Sequence, residues 1–321
     1  MASRRYAHVA GVAVHLPEQS VTTPELEAAL ADRNPGTRIP RGGIEQVSGV
    51  RRRHVAAAGQ TAAGLAAAAA RTLLERIGHA APAIDLIIFA GVTLDAVEPA
   101  TAHLVAAELG AGCPVFDVRN AANSVLNAVE LADTLITAGR HRTILVVCGE
   151  VATPAMRWQV ESEEDFTAAI PSYTVSDSGT AMLLQASAVP GVLGHRFCAN
   201  SAHWREAITP GDSMDLATGV RKLDLSLLRQ PLAERGLDWQ DLAAICLHQP
   251  SLPSLHAFCD LAGIPHDRVV HTIAEHGNLV ASTIPAQLHQ AVESGRVQRG
   301  DLVALVGVAG GVSAGIVLLR W

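Results

Sequence analysis

The stretch GCPVFDVRNAANSVLNAVELADTLITAG at residues 112–139, with RTILVVCGE behind it at 142–150, decides the fold. VFDV (115–118) reads as a short strand and residues 119–124 as a polar break. The run from about 125 to 139 reads as a helix, and 142–150 as an apolar strand. Outward from there the alternation continues. DLIIFAGVT (85–93) is a buried strand and 99–110 a helix of Ala and Leu. In the second half AAICLHQP (243–250) is a strand, 253–262 a helix, RVVHT (268–272) a short strand and 279–294 a helix, and LVALVGVAGG and SAGIVLLRW close the chain as two strands. Continuous apolar strands between helices indicate an α/β sheet covered on both faces. SDSGTAMLLQAS (176–187) and GGVSAGIVLLRW (310–321) are both small, Gly-containing turns that enter an apolar strand. That echo suggests two similar halves, 1–188 and 189–321. The segment 155–175, with the acidic ESEEDF (161–166), interrupts the pattern and reads as a solvated loop.

Composition removes several function classes. The chain has 321 residues, 49% hydrophobic and 17% charged, which is globular and long enough for a sizeable core. Aromatics are only 3%, so Ala, Val, Leu and Ile must build that core. Lys222 is the only lysine and no glycine-rich loop precedes it, which excludes a P-loop lysine, a Schiff-base lysine and a lysine-rich nucleic-acid patch. A net charge of -7 also argues against a nucleic-acid partner. Five scattered cysteines (113, 148, 198, 246 and 259) without a CxxC suit a reducing compartment. With no signal-like h-region and no membrane-length apolar run, a cytoplasmic protein is expected. The 14 histidines show no HExxH or comparable spacing, so no metal and no cofactor are expected. His54, His256 and His266 read as surface or supporting residues.

Four segments could carry chemistry. LHQPS (247–251) places His248 at the carboxyl end of a strand, where ligands gather in open α/β sheets. EHGN (275–278) places Asn278 after a Gly at a helix start, where an N-cap is its plain role. VAGGVSAG (308–315) is a Gly-rich turn that could aim backbone N–H groups at an anion, or simply be a tight hairpin. The turn between VFDV and the 125–139 helix could present a nucleophile at a helix N-terminus.

In order and spacing these segments, with ASTIP (281–285), VAGVAVHLPEQSVTTPEL (9–26) and SGVRRRHVAA (48–57), resemble the β-ketoacyl-acyl-carrier-protein synthase III family of the thiolase superfamily along the full length. The resemblance implies a thiolase-like five-layer αβαβα sandwich of two similar halves and a homodimer. It also implies decarboxylative C–C condensation of an acyl group with a malonyl thioester, in a specialised polyketide or fatty-acid pathway. A Cys at the strand-to-helix elbow is acylated in that family, and a His and an Asn hold the malonyl thioester carbonyl. The carried-over positions are His248, Asn278 and Gly310, whose N–H would pair with the elbow N–H as an oxyanion hole.

The chain departs from the pattern in three places. Ala122 stands where the nucleophilic Cys belongs, and alanine cannot form a thioester. It reads as a Cys-to-Ala substitution that leaves the chain inactive in covalent acyl transfer. The alternatives are a natural Cys-less decarboxylase or partner subunit, or a related acyltransferase acting on an O or N nucleophile. Secondly, the Trp and Arg clamp of relatives that take acetyl-CoA is replaced by Gly43, Val47, Pro154 and Pro253, and Ser251 replaces an Asn. An acyl-carrier protein is therefore the expected donor in place of CoA, with Arg51 to Arg53 as candidate exposed cations beside the plainer reading of an ordinary solvated basic run. Thirdly, Glu98 stands where relatives place an apolar residue near the acyl pocket and dimer interface. Glu98, Ser251 and Gly311 are the candidate substrate contacts.

Overall fold

The computed structural model describes residues 5–206 and 219–321. The first sheet has the strand order β1 (Tyr6–His15), β7 (Ser178–Ser187), β6 (Thr143–Glu150), β4 (Leu86–Phe89), β5 (Val115–Asp117). The second has the order β8 (Val192–Ala199), β11 (Ser313–Arg320), β10 (Leu302–Ala309), β9 (Ala244–Leu247). A small ribbon pairs β2 (Ser20–Thr22) with β3 (Arg52–His54). In both large sheets the first three strands pair antiparallel and the third and fourth pair parallel. The second sheet thus repeats the pairing of the first four strands of the first. β7 and β11, the two strands that follow the similar Gly-containing turns, hold the same place in that order.

The helices divide between three layers. α3 (Ala62–Ile77) and α4 (Thr101–Leu109) cover the outer face of the first sheet; α1 (Thr23–Arg33) and α2 (Gly43–Ser48) lie to one side. α5 (Ser124–Thr137) and, later in the chain, α10 (Thr283–Glu293) are sandwiched between the sheets in one shared core. Between them in sequence come α6 (Glu163–Tyr173), α7 (Gln230–Ala233), α8 (Leu252–Ala262) and α9 (Ile273–His276). α7 and α8 cover the outer face of the second sheet. The layers therefore run α, β, α, β, α, the thiolase-like arrangement. Both sheets are buried on both faces, which explains why β6 and β10 read as unbroken apolar runs with no alternation.

Half-buried carboxylates fix the starts of α3 and α4. Asp95 accepts from the Ala62 and Ala63 N–H groups at 2.9 and 2.8 Å, and Asp117 accepts from Thr101 and Ala102 at 2.8 Å each. Two expectations fail here. ESEEDF is not a solvated loop: Ser162 caps α6, three acidic residues occupy its first turn, and Phe166 is buried. Acidic residues favour a helix N-terminus through the dipole, so the charge run marks a helix start. RVVHT is not a strand, because a short 3-10 turn at His266–Arg268 leaves only an isolated bridge from Val269 to Ile245. Four strands lie outside the alternation read from the sequence: β1, β8 and the ribbon pair β2 and β3. Among the described residues no helix is long and apolar enough to cross a membrane.

α3 packs against the first sheet at backbone distance. A Cβ at Gly149 would fall on the Ala62 carbonyl, and one at Gly179 on the Leu65 carbonyl. Neither neighbour is a side chain that can swing away. Gly179→Ala is expected to lower unfolding stability by about 3 kcal/mol or more. Gly112→Ala, with open space around it, should stay within about 0.5 kcal/mol. Denaturant titration of the two variants checks this, and a Gly179→Ala loss close to that of Gly112→Ala would contradict the packing.

Candidate active site

The first piece of the site is the turn between β5 and α5. Ala121 holds φ at +46°, a left-handed conformation rare for a non-glycine residue. Ser124 braces it: its Oγ accepts from the Asn120 N–H at 2.9 Å and donates to the Ala121 carbonyl at 2.6 Å. With both roles filled, the Ser124 hydroxyl is a turn brace and not a substitute nucleophile. Ala122 sits at the top of the turn, 6% exposed.

The next residue joins this elbow to the second sheet. Asn123 is fully buried, and its Nδ2 donates to Ser313 Oγ at 3.0 Å. Ser313 opens β11 immediately after the 310–312 turn, where Gly311 and Val312 hold φ at +78° and +56°. The turn is thus both the tight hairpin of its plain reading and a neighbour of the elbow. Gly310 and Gly311 lie in it, and the Ser313 that follows it is bonded to Asn123, the residue after Ala122. The polar Asn123 at the start of an apolar helix was the available signal for this link; sequence reasoning passed over it.

His248 follows β9 directly, its N–H bonded to the Val306 carbonyl at 3.1 Å. Its ring is 6% exposed, and Nδ1 is among the buried atoms with no hydrogen-bond partner. Burial pushes its pKa down to about 4, with a backbone hydrogen bond at Val280 pulling the other way. The imidazole is therefore neutral at physiological pH and can offer one N–H. Gln249 beside it is fully buried. It donates to the Val270 carbonyl at 2.6 Å and accepts from the Thr272 and Ile273 N–H groups at 3.0 and 3.1 Å, bracing the segment that leads into α9.

Asn278 is 8% exposed and does not cap a helix as its position suggested; the 3-10 turn Val280–Ser282 intervenes before α10. Its own N–H donates to the Thr174 carbonyl at 2.8 Å and its carbonyl accepts from Ser176 at 3.0 Å. Its Oδ1 accepts from the Val280 N–H at 2.9 Å, an Asx-type turn. That donor fixes which end of the amide is oxygen, so Nδ2 is turned away from the turn. The Val280 backbone is the common neighbour of Asn278 and His248, and α5 packs against the same 280–282 turn.

The other candidates are placed differently. Ser251 caps α8, accepting from the Ser254 N–H at 3.2 Å and bonding Ser254 Oγ at 2.8 Å, so its hydroxyl is structural. Glu98 is exposed on the loop before α4. Gly43 starts α2, and Val47, Pro154 and Pro253 are exposed. Arg51 pairs with Glu275 at 2.5 Å on the surface and Arg52 is exposed, but Arg53 is wholly buried. Arg53 donates to Thr23 Oγ1 at 2.9 Å and faces the Glu27 carboxylate, which corrects its reading as an exposed cation. His54 is half-buried and stacked on His276, with Nε2 3.0 Å from the His276 Nδ1. His256 and His266 lie on the surface, rings 5.0 Å apart. All five cysteines are free thiols, and burial pushes every one of their pKa values up. None of them lies in the turn between β5 and α5.

A His that binds fewer protons folded than unfolded makes folding less favourable as pH falls from about 6.5 toward 4. His248 is expected to titrate near pH 4 in the folded chain, read from its ring carbon shift by NMR. A midpoint near 6.5 would mean a wetter site than this one.

Comparison with known proteins identifies the family. The family model described as 3-oxoacyl-[acyl-carrier-protein (ACP)] synthase III matches residues 116–201, and its C-terminal counterpart matches residues 232–321. Among solved structures, a glutamate-to-glutamine variant of OleA from Xanthomonas campestris is 26% identical, covering 98% of each chain with a TM-score of 0.87. FabH, the 3-oxoacyl-(acyl carrier protein) synthase III of Xanthomonas oryzae pv. oryzae, is also 26% identical, covering 98% of this chain and 99% of its own, with a TM-score of 0.87. OleA with cerulenin bound matches at the same identity. Together the two family models account for more than half of the sequence, and the chain belongs to the 3-oxoacyl-[acyl-carrier-protein] synthase III family of acyl-transferring condensing enzymes.

Proposed function

We propose that this chain binds a malonyl-type thioester with its carbonyl oxygen held by the His248 and Asn278 N–H donors, and that this drives decarboxylation. The C–C bond to the carboxylate breaks, CO2 leaves, and the electron pair becomes the enolate of the remaining acetyl thioester. Two neutral donors suit an enolate oxygen, because they stabilise negative charge without surrendering a proton. In the complete reaction the enolate carbon attacks an acyl thioester on the elbow Cys, forming the C–C bond and breaking the C–S bond. The Ala122 and Gly310 N–H groups stabilise the intervening oxyanion. That reaction is decarboxylative condensation, in a specialised polyketide or fatty-acid pathway. With Ala122 in place the acyl-enzyme cannot form. The position carries a Cys-to-Ala substitution of an otherwise intact site, and the chain as it stands performs only the decarboxylating half. The observation that carries this reading is the neutral, buried His248 beside an Asn278 whose amide is fixed by Val280. The same alanine supports a second reading, a natural decarboxylase or partner subunit. No observation favours transfer to an O or N nucleophile.

The donor is an acyl-carrier-protein thioester, supported by the lack of cations at Gly43, Val47, Pro154 and Pro253, and by the pairing of Arg51 with Glu275. The chain acts as a cytoplasmic homodimer through β5. That strand is an edge of the first sheet, and Phe116 on it and Val97 nearby are exposed at 37% and 93%.

Ala122→Cys is expected to become acylated by an acyl donor, seen as an intact-mass shift that the parent chain lacks. A folded Cys variant with no shift for any carrier or CoA donor would remove the elbow assignment. His248→Ala and Asn278→Ala should each slow malonyl decarboxylation by about two to three orders of magnitude. Their effects should fall well short of additive, because both donors serve one oxygen. Unchanged CO2 release in either variant would exclude that residue. A carrier-protein thioester should exceed the matching CoA thioester in kcat/KM by about tenfold or more, since each forgone charge-assisted bond weakens CoA binding. Equal values would contradict the loss of the clamp.

A further inference from the structure

One buried ionisable group outside the residues assigned above is built into the same segment. Glu150 ends β6 and is fully buried. Its carboxylate accepts from the Val92 N–H at 2.9 Å, the Thr93 N–H at 3.0 Å and the Thr93 hydroxyl at 2.8 Å. The Cys148 thiol donates to its Oε1 at 3.8 Å, and the Ala281 N–H faces the carboxylate. Four donors therefore converge on two oxygens, and among the described residues no Arg, Lys or His lies within ion-pair distance. An amide could not replace the carboxylate: only one of its two terminal atoms accepts, and its NH2 would face the donors. Isolation from cations makes the group costly to bury, so its retention points to a task that a neutral side chain performs poorly.

That task lies at the 280–282 turn, which Glu150 meets through the Cys148 thiol. Val280 holds φ at +53°, and its N–H is the donor that fixes the Asn278 amide. Strain of this kind persists only where the surroundings hold it. One end of the turn is held by Asn278 and the other by Glu150. Ser282 makes the tie to β6, its Oγ donating to Cys148 Sγ at 3.2 Å. We infer that Glu150 is a positioning residue, an acceptor-only anchor that holds the 280–282 turn through Cys148 and Ser282, and through that turn directs the Asn278 amide toward the substrate carbonyl. The functional part of this inference rests on the role proposed for Asn278.

Glu150→Gln and Glu150→Asp in the full chain test it, with two readouts. Amide hydrogen exchange across residues 278–282 should quicken by about tenfold or more in Glu150→Gln, with the rest of β6 still protected. Malonyl decarboxylation should lose about tenfold or more in kcat with KM within about threefold, because the thioester still binds while its carbonyl is poorly met. Glu150→Asp, which keeps an acceptor-only group, should recover part of both, and it carries the test if Glu150→Gln fails to fold. In an Asn278→Ala background Glu150→Gln should cause no further loss of kcat. Unchanged exchange at 278–282 in a folded Glu150→Gln chain, or an undiminished loss in the double variant, would overturn the inference. Faster exchange combined with an Asn278→Ala chain of normal rate would support the anchor while overturning the role of Asn278.

Discussion

The centre of this molecule depends on how closely the first turn of α5 approaches β10. Asn123 is fully buried there, and a Cβ at Gly307 would fall on its Oδ1. Only glycine at 307 lets the helix seat at this depth, and only a side chain as short as Asn reaches Ser313 from it. From this contact the first sheet's elbow and the second sheet's hairpin acquire a fixed relation. The turn that holds Ala122 and the hairpin that holds Gly310 are joined because Asn123 and Ser313 are bonded. The strained φ at Ala121 and Val312 is tolerated for the same reason, since each flanks an end of that bond.

The chemistry follows from dryness more than from charge. Among His248, Asn278, Ala122 and Gly310 no group is ionised at neutral pH. Burial holds His248 neutral, Asn278 is neutral by nature, and the other two contribute backbone N–H groups. Donors excluded from water are worth most where charge develops on an oxygen, and they need no reorganisation at that moment. Glu150 is a built-in charge against the 280–282 turn, and hydrogen bonds from backbone and Thr93 surround it. Polar groups this buried are useful only when their orientation is fixed. Fixing it is the work of Gln249 on the 270–273 segment and of the Val280 N–H on Asn278.

Much of this is legible in the amino-acid sequence. Strands buried on both faces write themselves as unbroken apolar runs, so β6, β9, β10 and β11 are plain, as is the turn between β5 and α5. The His, Asn and Gly-rich positions are legible through their order along the chain, and Ala122 through the gap it leaves in that order. What escapes is set by contacts remote in sequence. Arg53 looks exposed within a basic run, yet Thr23 and Glu27 bury it. The acidic run at 161–166 looks like a loop because its partner is a helix dipole, which has no letter in the sequence. RVVHT has strand composition, but the 3-10 turn before it leaves room for a single bridge. Glu150 reads as an ordinary strand-end carboxylate until the N–H groups of Val92 and Thr93 and the Cys148 thiol are seen to close on it.

The central claim is that this site polarises a thioester carbonyl without a nucleophile of its own. It is tested most directly by incubating the chain as it stands with a malonyl-carrier thioester labelled with 13C in the free carboxylate. Thioester product and protein mass are then followed together. The account predicts release of labelled CO2 and accumulation of the acetyl thioester, with the protein mass unchanged throughout. An intact malonyl thioester after prolonged incubation, or a covalent acyl adduct on the chain, would contradict it.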